Sequence, residues 1–222
     1  MATIGASELI INSDGSIFHL HIRPEELADT VILVGDPGRV DMVSSFFQTI
    51  EFKRESREFV SCTGVYNGKR MTVLSTGIGC DNLDIVMNEL DALVNIDFDT
   101  KEVKKELKSL RILRIGTSGS IQPDIPVGAY VFSHISLGAD GLLNWYANRD
   151  EVSYKEMEEA FVRDVNWDEN LPRPYFIKAA DELVDLFKDC THKGVTISAS
   201  GFYGPQGRVL RIPLAMPDML ER

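Results

Sequence analysis

Short β-branched and apolar runs alternate along the chain with stretches in which apolar residues recur every three to four positions. Thr30–Val34 (TVILV) predicts a buried strand. Pro37 and Arg39 then open a helix expected to run to about Phe47. Arg57–Val65 and Lys69–Ser75 predict two strands paired around the Tyr66-Asn67-Gly68 turn. Leu83, Val86, Met87, Leu90 and Val94 keep a helical period and predict a helix over Asn82–Val94. Lys101–Lys108 reads as a charged, exposed helix, Leu110–Ile115 as a second buried strand and Tyr130–Leu137 as a third. Tyr175–Lys188 reads as an amphipathic helix and Val195–Ala199 as a further strand. Asn144–Pro174 is polar, contains tryptophan and follows neither period, so it reads as a peripheral excursion.

Strands alternating with helices imply an α/β sheet, largely parallel or mixed, covered on both faces. Ligands in such sheets bind where loops leave the carboxyl ends of strands. With 222 residues, 44% of them hydrophobic, the chain can bury a full core as one domain, 1–222, and no repeat or linker interrupts it. A net charge of −11 argues against a nucleic-acid surface, yet leaves room for a local positive pocket. Met1–Ile11 has no basic start, and no run approaches the roughly 18 apolar residues of a membrane span. Cys62, Cys80 and Cys190 are odd in number and lack metal-binding spacing. A soluble cytoplasmic protein without a structural zinc is the expectation.

Three arginines stand in short motifs beside apolar runs: GDPGR at Gly35–Arg39, REF at Arg57–Phe59 and RIGTSG at Arg114–Gly119. Guanidinium groups present fixed donors and stay charged, which suits a phosphate oxyanion. Glycine after a strand lets backbone N–H groups approach an anion at a helix start. Arg114 interrupts an apolar strand, where an unpaired charge would be costly. Alone, GDPGR could be an ordinary strand-to-helix turn, and Arg114 a structural partner of some carboxylate. The STGIG run at Ser75–Gly79 carries no charge and suits tight strand–helix packing. GFYGPQGR, Gly201–Arg208, offers aromatic surface, the Gln206 amide and the Arg208 cation. Gln206 donates and accepts while Arg208 only donates, a pairing that can read a ring bearing carbonyls and an imide N–H; a plain Gly/Pro loop is the alternative. His19, in SIFHL, is by itself a packed or solvated histidine, and His21, His134 and His192 show no functional spacing.

Taken in order, FHL, GDPGRV, REF, STGIG, RIGTSG and FYGPQGR resemble the nucleoside phosphorylase family, and uridine phosphorylases within it. The resemblance implies a phosphorylase-type three-layer αβα fold with a central mixed β-sheet flanked by helices. It implies that a pyrimidine nucleoside such as uridine and inorganic phosphate give free base and pentose 1-phosphate, a pentosyl transfer in nucleoside salvage and catabolism. Gly35, Arg39, Arg57, Arg114 and Thr117 match the family's phosphate contacts. Arg57 matches a residue lent by a neighbouring subunit, and His19 one that reaches across the same interface to the sugar 5′-hydroxyl. Thr117, Ser118 and Gly119 lie where ribose and phosphate meet. Phe202, Gln206 and Arg208 match the pyrimidine-recognition set. Arg39, Arg114 and Arg208 are the residues expected to act on the reacting groups, the first two through phosphate and the third on the departing base. No organic cofactor or catalytic metal is implied, although Glu58 and Ile78 match positions that hold a monovalent cation between subunits in some members. The partners implied are small molecules and a second copy of the chain, as a homodimer or a hexamer built from dimers.

One family feature has no counterpart here. The glutamate–methionine–glutamate motif for the ribose hydroxyls should follow a helix opening near Met216–Arg222, and Met219 comes too early to stand in for it. The expectation is therefore a phosphorylase domain incomplete at its C-terminus. A purine nucleoside phosphorylase, and a non-catalytic nucleoside- or phosphate-binding protein, are the competing readings.

Overall fold

In the computed structural model, which describes residues 3–221, the chain divides into two units, Met1–Thr117 and Ser118–Arg222. The first contains strands β1 (Thr30–Val34), β2 (Thr49–Ser56), β3 (Phe59–Tyr66) and β4 (Lys69–Ser75), a short pair β5 (Ile96–Asp97) and β6 (Glu102–Val103), and β7 (Arg111–Ile115). Helix α1 (Gly38–Ser44) follows β1, and α2 (Cys80–Asn95) follows β4. Five strands form one mixed sheet in the order β2-β3-β4-β1-β7. β2, β3 and β4 are an antiparallel meander, whereas β1 runs parallel to both of its neighbours, β4 and β7.

Side chains on a strand alternate between faces, and both faces of this sheet are covered. Val31, Leu33, Phe59 and Leu74 pack with Val86, Leu90 and Leu93 of α2. Val34, Val60, Cys62 and Val73 turn the other way and pack with Val40 of α1. Asn67 and Gly68 both have positive φ, 48° and 75°, as the tight turn between β3 and β4 requires. The α/β class expected from the alternating pattern is thus present, with a mixed sheet.

The second unit contains β8 (Val131–Gly138), α3 (Arg149–Val152), α4 (Lys155–Asp164), β9 (Tyr175–Lys178), α5 (Asp181–Phe187) and β10 (His192–Ser198). Its sheet has the order β10-β8-β9, with β10 parallel and β9 antiparallel to β8. Leu137, Ala139 and Phe176 form its core, against Met157, Phe161 and Trp167.

Five expectations are corrected. Lys101–Lys108 is not a helix: it folds back on the end of α2, where Lys104 N donates to Asn95 O and Lys108 N to Asn95 Oδ1 at 2.8 and 2.7 Å. Those bonds serve the chain reversal after α2 better than a new helix would. Tyr175–Lys188 splits, because Tyr175, Phe176 and Ile177 are strand formers that pair with β8, and the helix starts only after extended Ala180. β7 is a sheet edge rather than a buried strand, and both Arg111 and Arg114 are exposed. Asn144–Pro174 is no excursion, since Met157, Phe161 and Trp167 within it complete the second core. Met216–Arg222, where a helix was expected, shows turns over residues 217–221, and Arg222 lies outside the described residues.

Among the described residues two carboxylates are buried, and both are paired. Glu158, 1% exposed, receives Arg149 through two 3.0 Å contacts and a hydrogen bond from Ser153. Glu26, 3% exposed, is held by Arg54, whose Nε donates to Oε2 at 3.0 Å, and by the Arg23 backbone N–H at 3.1 Å. Burial alone would raise the Glu26 pKa; the hydrogen bonds from Arg54 and Arg23 outweigh it and hold the carboxyl below its ordinary value. A carboxyl depressed in the folded state adds stability above its unfolded pKa, about 4.3, and loses it as pH falls through the folded value. Arg54→Ala should cost about 3 kcal/mol at pH 7, at the low end for a broken buried pair because the Arg54 end is partly solvated. Urea unfolding at pH 7 and again below pH 4 checks this. The deficit should shrink in acid, and an equal loss at both pH values would refute the pairing argument.

Candidate active site

The parallel register of β4, β1 and β7 brings three strand ends to one edge. Val34 lies opposite Ser75 on one side and Ile115 on the other. The next residues are therefore neighbours: Gly35–Arg39 after β1, Thr76–Gly79 after β4, and Gly116–Thr117 after β7. Thr76 N donates to Val34 O at 2.8 Å and ties the first two loops together. β3 runs antiparallel to β4, so the turn before it, Arg57–Glu58, reaches the same edge. The buried Ser75 hydroxyl secures that turn, accepting from Val60 N at 2.7 Å and donating to Glu58 O at 2.6 Å. Four strand ends thus share one edge, with Gly35, Arg57 and Thr117 in the loops there, Arg39 in the first turn of α1 and Arg114 one residue before the end of β7.

Local conformation follows from the residues present. Gly77 has φ +67°, and a Cβ there would come within 2.7 Å of Asn82 Nδ2 and 2.8 Å of Glu58 Cγ. STGIG is therefore a packing device, as its sequence suggested. Arg39 sits in the first turn of α1, its backbone N–H bonded to Asp36 O at 3.0 Å. Arg57 has φ +54°, which turns the chain between β2 and β3. The Arg114 guanidinium lies where a Cβ on Gly116 would approach to 2.5 Å. None of Arg39, Arg57 and Arg114 has a carboxylate partner among the described residues. Arg54, Arg70, Arg149, Arg163 and Arg173 each have one.

His19 lies beside this edge, its ring edge-on to Phe59 with centroids 6.5 Å apart. Its Nδ1 is 2.6 Å from Glu89 Oε1 on α2. Glu89 was not singled out in the sequence, where it is one of many acids on a helix. Its distinction arises only because the helix passes the loop at 17–20. Glu58 Oε1 and Ile78 O, the oxygens expected at a cation position, converge on Asn82 Nδ2 at 3.0 and 3.3 Å. Asn82 too was unmarked in the sequence.

The second unit holds its own cluster. Gly204–Gln206 forms a short 3-10 turn closed by Gly207 at φ +66°. Arg208 N bonds back to Tyr203 O at 2.9 Å, bringing Arg208 over Phe202 with its guanidinium carbon 4.3 Å from the ring centroid. Arg208 Nε donates to Gln206 Oε1 at 3.3 Å, and Gln206 Nε2 donates to Gly201 O at 3.2 Å. Phe202, Gln206 and Arg208 are thereby gathered as one group. Ser118 and Gly119, at the start of this unit, are exposed, and Ser118 Oγ donates to Gly119 O at 3.0 Å.

Known proteins resemble this chain in sequence and fold. The family profile of the phosphorylase superfamily matches residues 29–221. A uridine phosphorylase of Thermococcus kodakarensis is 29% identical over 195 residues, 88% of this chain and 59% of that protein. One from Salmonella typhimurium is 30% identical over 201 residues, 88% of this chain and 66% of its own. A DeoD-type purine nucleoside phosphorylase of Streptococcus suis is 26% identical over 193 residues, 85% of this chain and 68% of the relative. The chain thus spans about three fifths to two thirds of the length of these relatives. The crystal structure of a Trypanosoma brucei nucleoside phosphorylase that shows uridine phosphorylase activity superposes with a TM-score of 0.82 at 30% identity, covering 96% of this chain and 76% of that one. With glycine-bearing strand ends, arginines at one sheet edge and a profile match over most of its length, the chain belongs to the phosphorylase superfamily.

Proposed function

We propose that the protein carries out phosphorolysis of a pyrimidine nucleoside, uridine being the substrate that its residues suit best. The observation that carries this reading is the contrast among arginines. In a chain with 34 acidic and 23 basic residues, Arg54, Arg70 and Arg149 each hold a carboxylate. Arg39, Arg57 and Arg114 show none among the described residues, and all three lie at strand ends that share one edge. A phosphate dianion would satisfy all three through charge-assisted hydrogen bonds, with Thr117 and the Gly35 backbone as further donors. Water needs no such concentration of positive charge, which speaks against a hydrolytic nucleosidase.

The chemistry follows from these groups. As the C1′–N bond breaks, its electron pair goes to the base and positive charge grows on the sugar. Phosphate held by the arginines stabilises that charge, and one of its oxygens forms the new bond to C1′. Arg208, donating to a base carbonyl, stabilises the departing anion, while Gln206 reads the neighbouring donor and acceptor. Ser118 and Gly119 stand beside Thr117 for the sugar. His19 and Arg57, which match residues lent across an interface, put part of each site on a second copy, in a homodimer or a hexamer of dimers. A cytoplasmic location and a monovalent cation held by Glu58 and Ile78 belong to the same reading; that cation would take the place of the Asn82 amide. The similarity to purine nucleoside phosphorylases supports a second reading. The pairing of Gln206 with Arg208 favours a pyrimidine.

Base release should require phosphate. Arg114→Ala should lose about 1.5–3 kcal/mol of transition-state stabilisation, read as kcat/KM for phosphate, and equal rates with and without phosphate would point to a hydrolase. Uridine should react far better than inosine, because a purine leaves the Gln206 and Arg208 donors unmatched. Arg208→Ala should depress uridine turnover while the phosphate KM holds, and preference for inosine would select the purine reading. For the shared site, subunits of His19→Ala and Arg208→Ala, each strongly impaired alone, should recover partial activity on mixing, since one site of each mixed pair is whole. Demonstrated heterodimers that stay inactive would place the site within one chain.

A further inference from the structure

We infer that Glu89 is a positioning residue that sets the tautomer of His19 and makes it a reader of ligand hydroxyl groups. The Glu89 side chain is 13% exposed and receives four contacts from the loop it faces. His19 N lies 3.1 Å from each of its oxygens, Leu20 N lies 2.9 Å from Oε2, and His19 Nδ1 lies 2.6 Å from Oε1. An ionised carboxylate only accepts hydrogen bonds, so Nδ1 must carry the proton. In a neutral ring the lone pair is then on Nε2. That nitrogen has no partner among the described residues, and the ring is held edge-on by Phe18 and Phe59, at centroid distances of 4.7 and 6.5 Å.

The consequence is a filter with a sign. A group meeting Nε2 must bring a hydrogen, which a hydroxyl does and an ionised phosphate does not. Resting on the phosphorylase reading, in which His19 meets the sugar 5′-oxygen, this admits nucleosides with a free 5′-hydroxyl. Their 5′-phosphates are refused, because lone pair would face anion. The two backbone N–H bonds to the same carboxylate make the filter stiff. A ring swing would have to carry the 19–20 backbone with it.

The tautomer can be read without any substrate. Long-range 15N–1H correlation of histidine-labelled protein at pH 8, with His19 assigned from a His19→Asn variant, should show the proton on Nδ1 and an unprotonated Nε2. A proton on Nε2 would overturn the inference whatever the protein's activity proves to be. Glu89→Gln, whose amide can turn to donate to Nδ1, should give a mixture of tautomers. In turnover, the same variant should raise the uridine KM about tenfold and leave the KM for 5′-deoxyuridine unchanged. An equal rise for both substrates would mean that Glu89 only supports the loop, and the filter would fall. If no nucleoside is cleaved while Nδ1 proves protonated, it is the phosphorylase reading that fails and the Glu89–His19 geometry that stands.

Discussion

The parallel ladder on both sides of β1 is the constraint from which the rest of the first unit follows. A strand with parallel neighbours must deliver its carboxyl end beside theirs, and here the register is in step to the residue. Val34, Ser75 and Ile115 end together. Loops that are 40 residues apart in sequence therefore become adjacent without any side chain having to bring them together. The antiparallel meander then returns β3 so that its opening turn joins the same edge. One buried hydroxyl, on Ser75, locks that turn to the neighbouring strand. Backbone hydrogen bonding thus builds the platform, and side chains decorate it.

What could be read along the chain was what local rules determine. TVILV could only be a buried strand, Asn67-Gly68 announced its hairpin, and the period through Leu83, Val86 and Leu90 marked α2. β2 went unread because its charged residues, Glu51, Lys53, Arg54 and Glu55, carry no apolar stripe; it is the outer strand of the sheet, and its packing is settled by Arg54 reaching the buried Glu26. Lys101–Lys108 had helix-forming composition but was claimed by the end of α2. Tyr175–Lys178 had both characters and was decided by a vacancy beside β8. The same division holds at the site. Gly35, Arg39, Arg57 and Arg114 stand in motifs visible along the chain, while Glu89 and Asn82 gain their partners only through residues 70 and 24 positions away in sequence.

Electrostatics separates two kinds of charge in this acidic chain. Glu26 and Glu158 are buried, and each is bound by arginine in a way that closes its hydrogen-bonding demand. The arginines of the sheet edge are left open, at loops where the backbone also presents N–H groups.

Arg208 resting on Phe202 adds a consequence for traffic through the second cluster. The aromatic face on which a flat ring would settle already carries a cation, at about 0.5–1 kcal/mol for a contact of this kind near solvent. Entry of such a ring is thus an exchange of one stacking partner for another, coupled to a swing of the very group that would next bond to its carbonyl. On the proposed reading, uptake and grip would be one motion, and departure of the ring would be assisted by a partner ready to take its place.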